Sequence, residues 1–167
     1  FKVIQAKKKL LRGNKKSKID IYKEKIVKKN IENILSKYDI ICDCSDNFTT
    51  RYLLNDFCLK NKKILISAAI SKFEAHIFNF NFSKNIPCYR CFMPEIPMTD
   101  NKCDSEGILP TVAGIAGTLQ ANEVVKSILN KKSELVGKMI VFNTLNLNFR
   151  KIRLTKNTNC IESCIKK

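Results

Sequence analysis

Four cysteines of this chain form two short hooks. Cys88 and Cys91 stand in Pro87-Cys88-Tyr89-Arg90-Cys91, and Cys160 and Cys164 in Cys160-Ile161-Glu162-Ser163-Cys164. Such spacings let two sulfurs face one metal, and two hooks together supply the tetrahedral thiolate set of a structural Zn²⁺ site. Either hook alone reads as ordinary thiols; the pair favours zinc. Cys103 lies between the hooks, in Asn101-Lys102-Cys103-Asp104, a few residues before an expected helix. That setting lowers a thiol's pKa, although Asp104 and Glu106 oppose the effect. Cys103 is therefore either a reacting thiolate or an incidental loop thiol. A third group, Asp43-Cys44-Ser45-Asp46-Asn47, closes an apolar stretch. Ligands of open α/β sheets bind at the carboxyl ends of strands. There Asp46 either holds Mg²⁺ beside phosphate ligands or caps the following helix.

These groups need elements to position them. Val3, Ile4, Ala6, Leu10 and Leu11 have helical spacing over residues 3–12, which Gly13-Asn14 stops. Ile19 and Ile21 alternate with polar residues and predict a short strand. Residues 30–37 predict a short helix, and residues 38–44 a compact strand of the buried parallel type. Thr49 or Thr50 is the expected cap of a helix reaching about Lys60, with Tyr52, Leu53, Phe57 and Leu59 on its apolar side. Residues 64–70 read as another buried strand. From Ala75 to Phe82 the period is two, with Phe78, Phe80 and Phe82 on the packed face. Residues 92–107 read as a loop. Pro110 opens a long helix to about Asn130, and strands at 138–143 and 147–154 precede the second hook. The order argues a single α/β domain over 1–167 with a mixed sheet and flanking helices.

A chain of 167 residues can bury one substantial core, and 44% hydrophobic residues fit a globular domain. No apolar run reaches the roughly 20 residues of a membrane span, so no membrane partner is expected. Phe1-Lys2-Val3-Ile4-Gln5 has neither an initiator Met nor the apolar core of a secretory signal; a piece of a longer protein is expected. Eight cysteines do not imply disulfides in a chain this long and regular. Cys42, Cys44 and Cys58 are expected to be buried thiols, and a reducing, cytoplasmic compartment fits. The net charge of +16 admits a nucleic acid or an acidic partner. Lysine-rich solvated faces explain it better, because the basic residues lack the aromatic interleaving of single-strand binders. His76 has no second histidine and reads as structural.

Three segments resemble the ThiF/MoeB/HesA family, which is similar to ubiquitin-activating enzymes. The resemblance rests on Asp43-Cys44-Ser45-Asp46-Asn47, on Pro87-Cys88-Tyr89-Arg90-Cys91-Phe92-Met93-Pro94, and on the stretch from Gly107 through Pro110, Gly114, Gly117 and Gln120 to Glu123. Cys-Tyr-Arg-Cys-Phe-x-Pro is most similar to the branch that activates ubiquitin-like sulfur carriers. The resemblance implies a Rossmann-like fold and ATP- and Mg²⁺-dependent adenylation of the C-terminal glycine of a β-grasp carrier, followed by sulfur transfer. It implies that Asp46 and Asn47 contact nucleotide and magnesium, that Lys2 contacts the ATP phosphates, and that Cys103 is the transient acceptor. It also implies structural zinc on Cys88, Cys91, Cys160 and Cys164, and a homodimer. The family's Gly-rich nucleotide loop lies upstream of the position of Lys2, so the chain corresponds to the C-terminal portion of an adenylating domain. Its second hook has one residue more than the family usually shows, and Ser45 stands for a common Thr. Competing readings are an activating enzyme for another ubiquitin-like modifier and a non-catalytic carrier-binding homologue.

Overall fold

A computed structural model describes residues 1–82, 84–96, 107–158 and 160. Its centre is a five-stranded sheet in the order β1 (Ile40–Asp43), β2 (Ile64–Ser71), β3 (Glu74–Asn81), β4 (Lys138–Asn143), β5 (Asn148–Arg153). β1 and β2 are parallel, with Ile40 opposite Ile64 and Asp43 opposite Ser67. The other neighbours are antiparallel. Parallel strands need a crossover, and α3 (Phe48–Lys60) supplies it. The sheet is therefore mixed, as the order of apolar segments predicts.

Each face of the sheet has its own core. On one, Ile41, Leu65, Phe78 and Phe80 pack with Tyr52 and Phe57 of α3 and with Tyr89 of α4 (Tyr89–Phe92). Phe78 and Phe80 stack with centroids 5.4 Å apart, and each fully buried ring stabilises the fold by about 2 kcal/mol. On the other face, Ala75, Ile77 and Phe142 pack with Val112 and Ala116 of α5 (Pro110–Ile128). The expectation of one packed face on β3 is thus corrected. Helices cover both sides, and even Asn79 is buried, donating to Glu123 Oε2 of α5 at 2.9 Å.

Three other expectations change. Residues 17–30 hold no strand; the Ile19 carbonyl accepts from Lys7 Nζ of α1 (Lys2–Gly13) at 2.6 Å instead of joining a ladder. The cap of α3 is Asn47, whose Oδ1 accepts from the Thr50 backbone N–H at 2.9 Å. That contact satisfies one of the helix's free N–H groups, so neither Thr49 nor Thr50 is needed for it. Cys58 is buried as expected, and burial pushes its thiol up to about 12. Cys42 and Cys44 are exposed: Cys42 lies on the face of β1 opposite Ile41 and the α3 core, and Cys44 lies just past the end of the strand. Nearer the N-terminus, α2 (Ile31–Leu35) buries Ile31 and Ile34, whereas α1 buries no residue.

Candidate functional site

β1 stops at Asp43 while β2 runs on to Ser71. The space beyond the end of β1 is a cavity of about 690 Å³. Its walls include Asp46, Asn47 and Arg51 after β1, Ala68 to Ser71 of β2, and Gln120 of α5. A crevice at a strand's carboxyl end is where an α/β sheet binds ligands.

The turn that forms the mouth is built on a buried carboxylate. Asp43 is 1% exposed. Its Oδ1 accepts from the Ser45 backbone N–H at 2.9 Å and from Ser45 Oγ at 2.6 Å, and its Oδ2 accepts from Ser67 Oγ at 2.7 Å. Arg51 Nε lies 3.6 Å from Oδ2, and Arg51 Nη2 donates to the Ser45 carbonyl at 2.7 Å. One side chain thus holds the turn's N–H and its neighbour holds the turn's C=O. A buried carboxylate in low dielectric needs such compensation. Arg51 also lies over the Tyr89 ring at 5.7 Å, and its Nη1 is buried without a hydrogen-bond partner. From α5, Gln120 Nε2 donates to the carbonyls of Asp43 at 3.0 Å and Ile66 at 2.8 Å. That amide ties the end of β1 to β2 and to the helix behind both.

Asp46 stands exposed on this turn. Asn47 Nδ2 donates to its Oδ1 at 3.2 Å. That hydrogen bond, a backbone N–H, and the positive charges of Lys2 and Lys25 hold the carboxyl below its ordinary 3.8. At neutral pH the group is an anion with free lone pairs, the donor chemistry a hard divalent cation requires. Asn47 therefore does two jobs, capping α3 and steadying Asp46. Lys2 is exposed on the first turn of α1 and contributes to the field at Asp46. Cys44 Sγ lines the cavity and donates to Gln120 Oε1 at 3.2 Å. Although the residue is exposed, the cavity wall partly shields its sulfur from water, and that desolvation and the neighbouring Asp43 carboxylate raise its pKa, so it is a poor nucleophile. His76, also on the cavity wall, is half-buried, and its pKa is lowered chiefly by that burial. It edges onto Phe78 at 6.5 Å, in keeping with a structural histidine.

Behind the cavity three cysteines converge. Cys88 Sγ lies 3.9 Å from Cys91 Sγ and 3.2 Å from Cys160 Sγ, and the three sulfurs all lie within 4.8 Å of one another. Tetrahedral Zn–S bonds of about 2.3 Å place sulfurs about 3.8 Å apart, so this set suits a metal. Burial pushes the Cys88 thiol up. For Cys91 burial acts the same way, but hydrogen bonds from the Asn157 and Cys88 backbones more than offset it. The hook is fixed from α3: Asn55 Oδ1 accepts from the Tyr89 N–H at 2.9 Å, and Arg90 makes paired hydrogen bonds of 2.8 and 2.7 Å to Asp56. Cys164, the expected fourth ligand, and Cys103, the expected acceptor, lie outside the described residues.

Among the site residues, sequence reasoning gave no role to Asp43, Arg51, Ser67 or Gln120. Signals existed for two of them. Gln120 is a polar residue in a nearly continuous apolar run, and Arg51 is the one cation within the first two turns of α3.

Comparison with known proteins follows the same lines. A family model described as the ThiF family matches residues 1–162. The chain is 43% identical over 159 residues to a "Probable molybdopterin-synthase adenylyltransferase" of Pyropia yezoensis, covering 92% of this chain and 41% of that protein. It is 39% identical over 155 residues to an "Adenylyltransferase and sulfurtransferase MOCS3" of Drosophila willistoni, covering 90% and 34%. The chain thus spans well under half the length of these relatives. Among solved structures, E. coli MccB with ATP superposes with a TM-score of 0.78 at 18% identity, over 96% of this chain and 50% of that one. PaaA gives 0.70 at 15% identity, over 92% and 55%. Both structures share the fold.

Proposed function

The chain belongs to the ThiF family, and on that premise we propose that the protein carrying it adenylates the C-terminal glycine of a ubiquitin-like sulfur carrier. The observation that carries this reading is the ionised Asp46 at the mouth of the cavity beyond β1. In the proposed reaction a carboxylate oxygen of the carrier attacks the α-phosphorus of ATP. The bond from that phosphorus to the bridging oxygen breaks, and pyrophosphate leaves with the electron pair. Asp46 would hold Mg²⁺, which when bound neutralises phosphate charge. Lys2 would add a second positive charge at the phosphates, and Asn47 would keep Asp46 in place. The Cys103 thiolate would then attack the activated acyl carbon, form a thioester and release AMP, ahead of sulfur transfer. The adenylyltransferase names of the relatives support the first step, and the sulfurtransferase name of the Drosophila protein supports the sulfur transfer that follows.

The remaining assignments belong to the same proposal. Cys88, Cys91 and Cys160, with Cys164, would bind one structural Zn²⁺. The chain would be the C-terminal portion of an adenylating domain, working as a homodimer in a reducing, cytoplasmic compartment. No helix among the described residues is long and apolar enough to cross a membrane.

Carrier-dependent exchange of labelled pyrophosphate into ATP by the full-length protein tests the reading. Loss of exchange in Asp46→Ala is expected; exchange that survives refutes the role of Asp46. A Cys103→Ala variant should still exchange pyrophosphate yet deliver no sulfur to the carrier. If the carrier were passed as a thioester to a conjugating enzyme, modifier activation would replace sulfur transfer.

A further inference from the structure

A second cavity, of about 330 Å³, opens beside β5 and shares no wall residue with the one beyond β1. α5 packs over β2 and β3, so the helix stops short of the sheet's last strand and leaves a recess there. The recess is walled by Glu123 and Lys126 of α5, Leu135 and Ile140 around the start of β4, and Phe149 and Lys151 of β5. Register puts these groups together. Phe142 lies opposite Phe149 and Ile140 opposite Lys151, and cross-strand partners share a face. Phe142 belongs to the core under α5, so Phe149 and Lys151 stand on that side of the sheet. The Phe149 ring stacks on Phe142 with centroids 5.3 Å apart, yet the residue is 57% exposed. Protein covers part of that ring and leaves the rest open to a ligand.

The charges around the recess are unequally spent. Glu123 is almost fully enclosed, with a side chain 4% exposed. Its Oε1 accepts from Lys126 Nζ at 2.8 Å, and its Oε2 accepts from Asn79 Nδ2 at 2.9 Å and from Ser133 Oγ. Burial acts to raise this carboxyl, but those hydrogen bonds more than offset it and hold it below its ordinary 4.5. A carboxylate so engaged has little left to offer a ligand. Glu134, on the rim, is shared between Lys132 at 3.5 Å and Lys138 at 3.6 Å. The cations keep more. Lys126 Nζ has two further N–H donors, and Lys151 enters no ion pair among the described residues. Both lysines border an apolar wall formed by Leu135, Ile140 and Phe149.

We propose that this recess is a second ligand site and that it takes a small aromatic anion. The ligand's ring lies against Phe149, Leu135 and Ile140, and its carboxylate or phosphate group accepts hydrogen bonds from Lys126 Nζ and Lys151 Nζ. Aromatic rings stack in offset pairs, which favours a flat ring over an aliphatic chain. A lysine acts as a point charge, so the two lysines accept either anion. Ligand pockets range from about 300 to 1,000 Å³; this one lies at the small end, the size for a single ring. The site is separate from the proposed adenylation and stands whether or not that reading holds.

Equilibrium dialysis of the full-length protein against benzoate and against phenyl phosphate tests the site. Benzyl alcohol, which lacks the charge, and inorganic phosphate, which lacks the ring, are the partial ligands. At least one of the two aromatic anions should bind, one per chain, about tenfold more tightly than either partial ligand; the tighter of them identifies the anionic group. Lys151→Gln removes a charge-assisted hydrogen bond and should weaken that probe about tenfold, and Lys151→Arg should restore most of the loss. Lys151 is exposed, so thermal melting of Lys151→Gln should match wild type. Phe149→Leu should weaken the probe several-fold by removing the stacking partner. Saturating ATP should leave binding unchanged, because the two cavities share no residue. Inorganic phosphate binding as tightly as phenyl phosphate would reduce the recess to a patch of positive charge and overturn the proposal. So would absent binding of both probes, displacement of the probe by ATP, or binding that Lys151→Gln leaves intact.

Discussion

Replacing Asp43 by alanine should damage this protein more than any single change at the cavity mouth. The carboxylate is almost fully enclosed, accepts hydrogen bonds of 2.9, 2.6 and 2.7 Å, and faces Arg51 Nε at 3.6 Å. Its removal strands a guanidinium whose side chain is 6% exposed. Breaking a buried pair from one side costs about 3–5 kcal/mol. A domain of this size loses about 2–4 °C of Tm per kcal/mol, so a fall of about 6–20 °C is expected. Urea denaturation followed by circular dichroism measures the free energy. The double variant Asp43→Ala/Arg51→Met supplies the sharper comparison. It removes the stranded charge along with the carboxylate, so it should be more stable than Asp43→Ala by about 1–2 kcal/mol. A single variant within about 1 kcal/mol of wild type would refute the buried-charge reasoning. So would a double variant whose loss equals the sum of the two single losses.

Zinc analysis should give one ion per chain. Chelation, or Cys88→Ser, should lower the melting temperature and loosen the 88–92 hook, because metal binding is coupled to folding; a metal-free wild-type preparation made without chelator counts against the site. His76 has a folded-state pKa below the ordinary 6.5, so the unfolded chain takes up its proton first as pH falls. Stability from the neutral form is complete above pH 6.5 and declines from there down to the folded pKa; His76→Gln should flatten that part of the stability–pH curve, and an unchanged slope would contradict the assignment. Gln120→Ala leaves the Asp43 and Ile66 carbonyls without their side-chain donor and should cost about 1–3 kcal/mol, read by the same urea titration. Asp46 is held below 3.8, so this carboxyl should put no acid limb near neutral pH on the pyrophosphate-exchange profile; a limb there that disappears in Asp46→Asn would contradict the ionised carboxylate.

Much of the fold was legible because its elements carry strong local patterns. The Phe78-Phe80-Phe82 alternation predicts β3, Pro110 marks the first turn of α5, and the apolar run before Ser45 predicts a parallel strand. What escaped the sequence depends on where elements come to lie. Asn79 and Asn81 look solvent-facing until α5 is placed over their side of the sheet, where Asn79 meets Glu123. Cys42 and Cys44 look buried until β1 proves to lie at one border of the sheet, with only partial cover. The Ile19–Ile21 alternation is too short to decide between a ladder and a stray extended segment. At the site, Asp46 was visible from its place after a strand. The supporting set of Asp43, Arg51, Ser67 and Gln120 was not, since its members are joined by folding across up to 77 residues. Hook spacing predicted three sulfurs that do converge.

β5 has a consequence of its own. Every residue from Asn148 to Arg153 is exposed, and Phe149 and Ile152 lie among them. Such a strand on the border of a sheet invites pairing with the same strand of another molecule, the first step towards fibrous aggregates. Arg150, Lys151 and Arg153 sit on that border. Two copies brought together would set these cations against one another in a lane only about 4.8 Å wide. Part of the chain's large positive charge thus keeps neighbouring molecules apart, and a chain neutralised along β5 would be expected to precipitate at lower concentration.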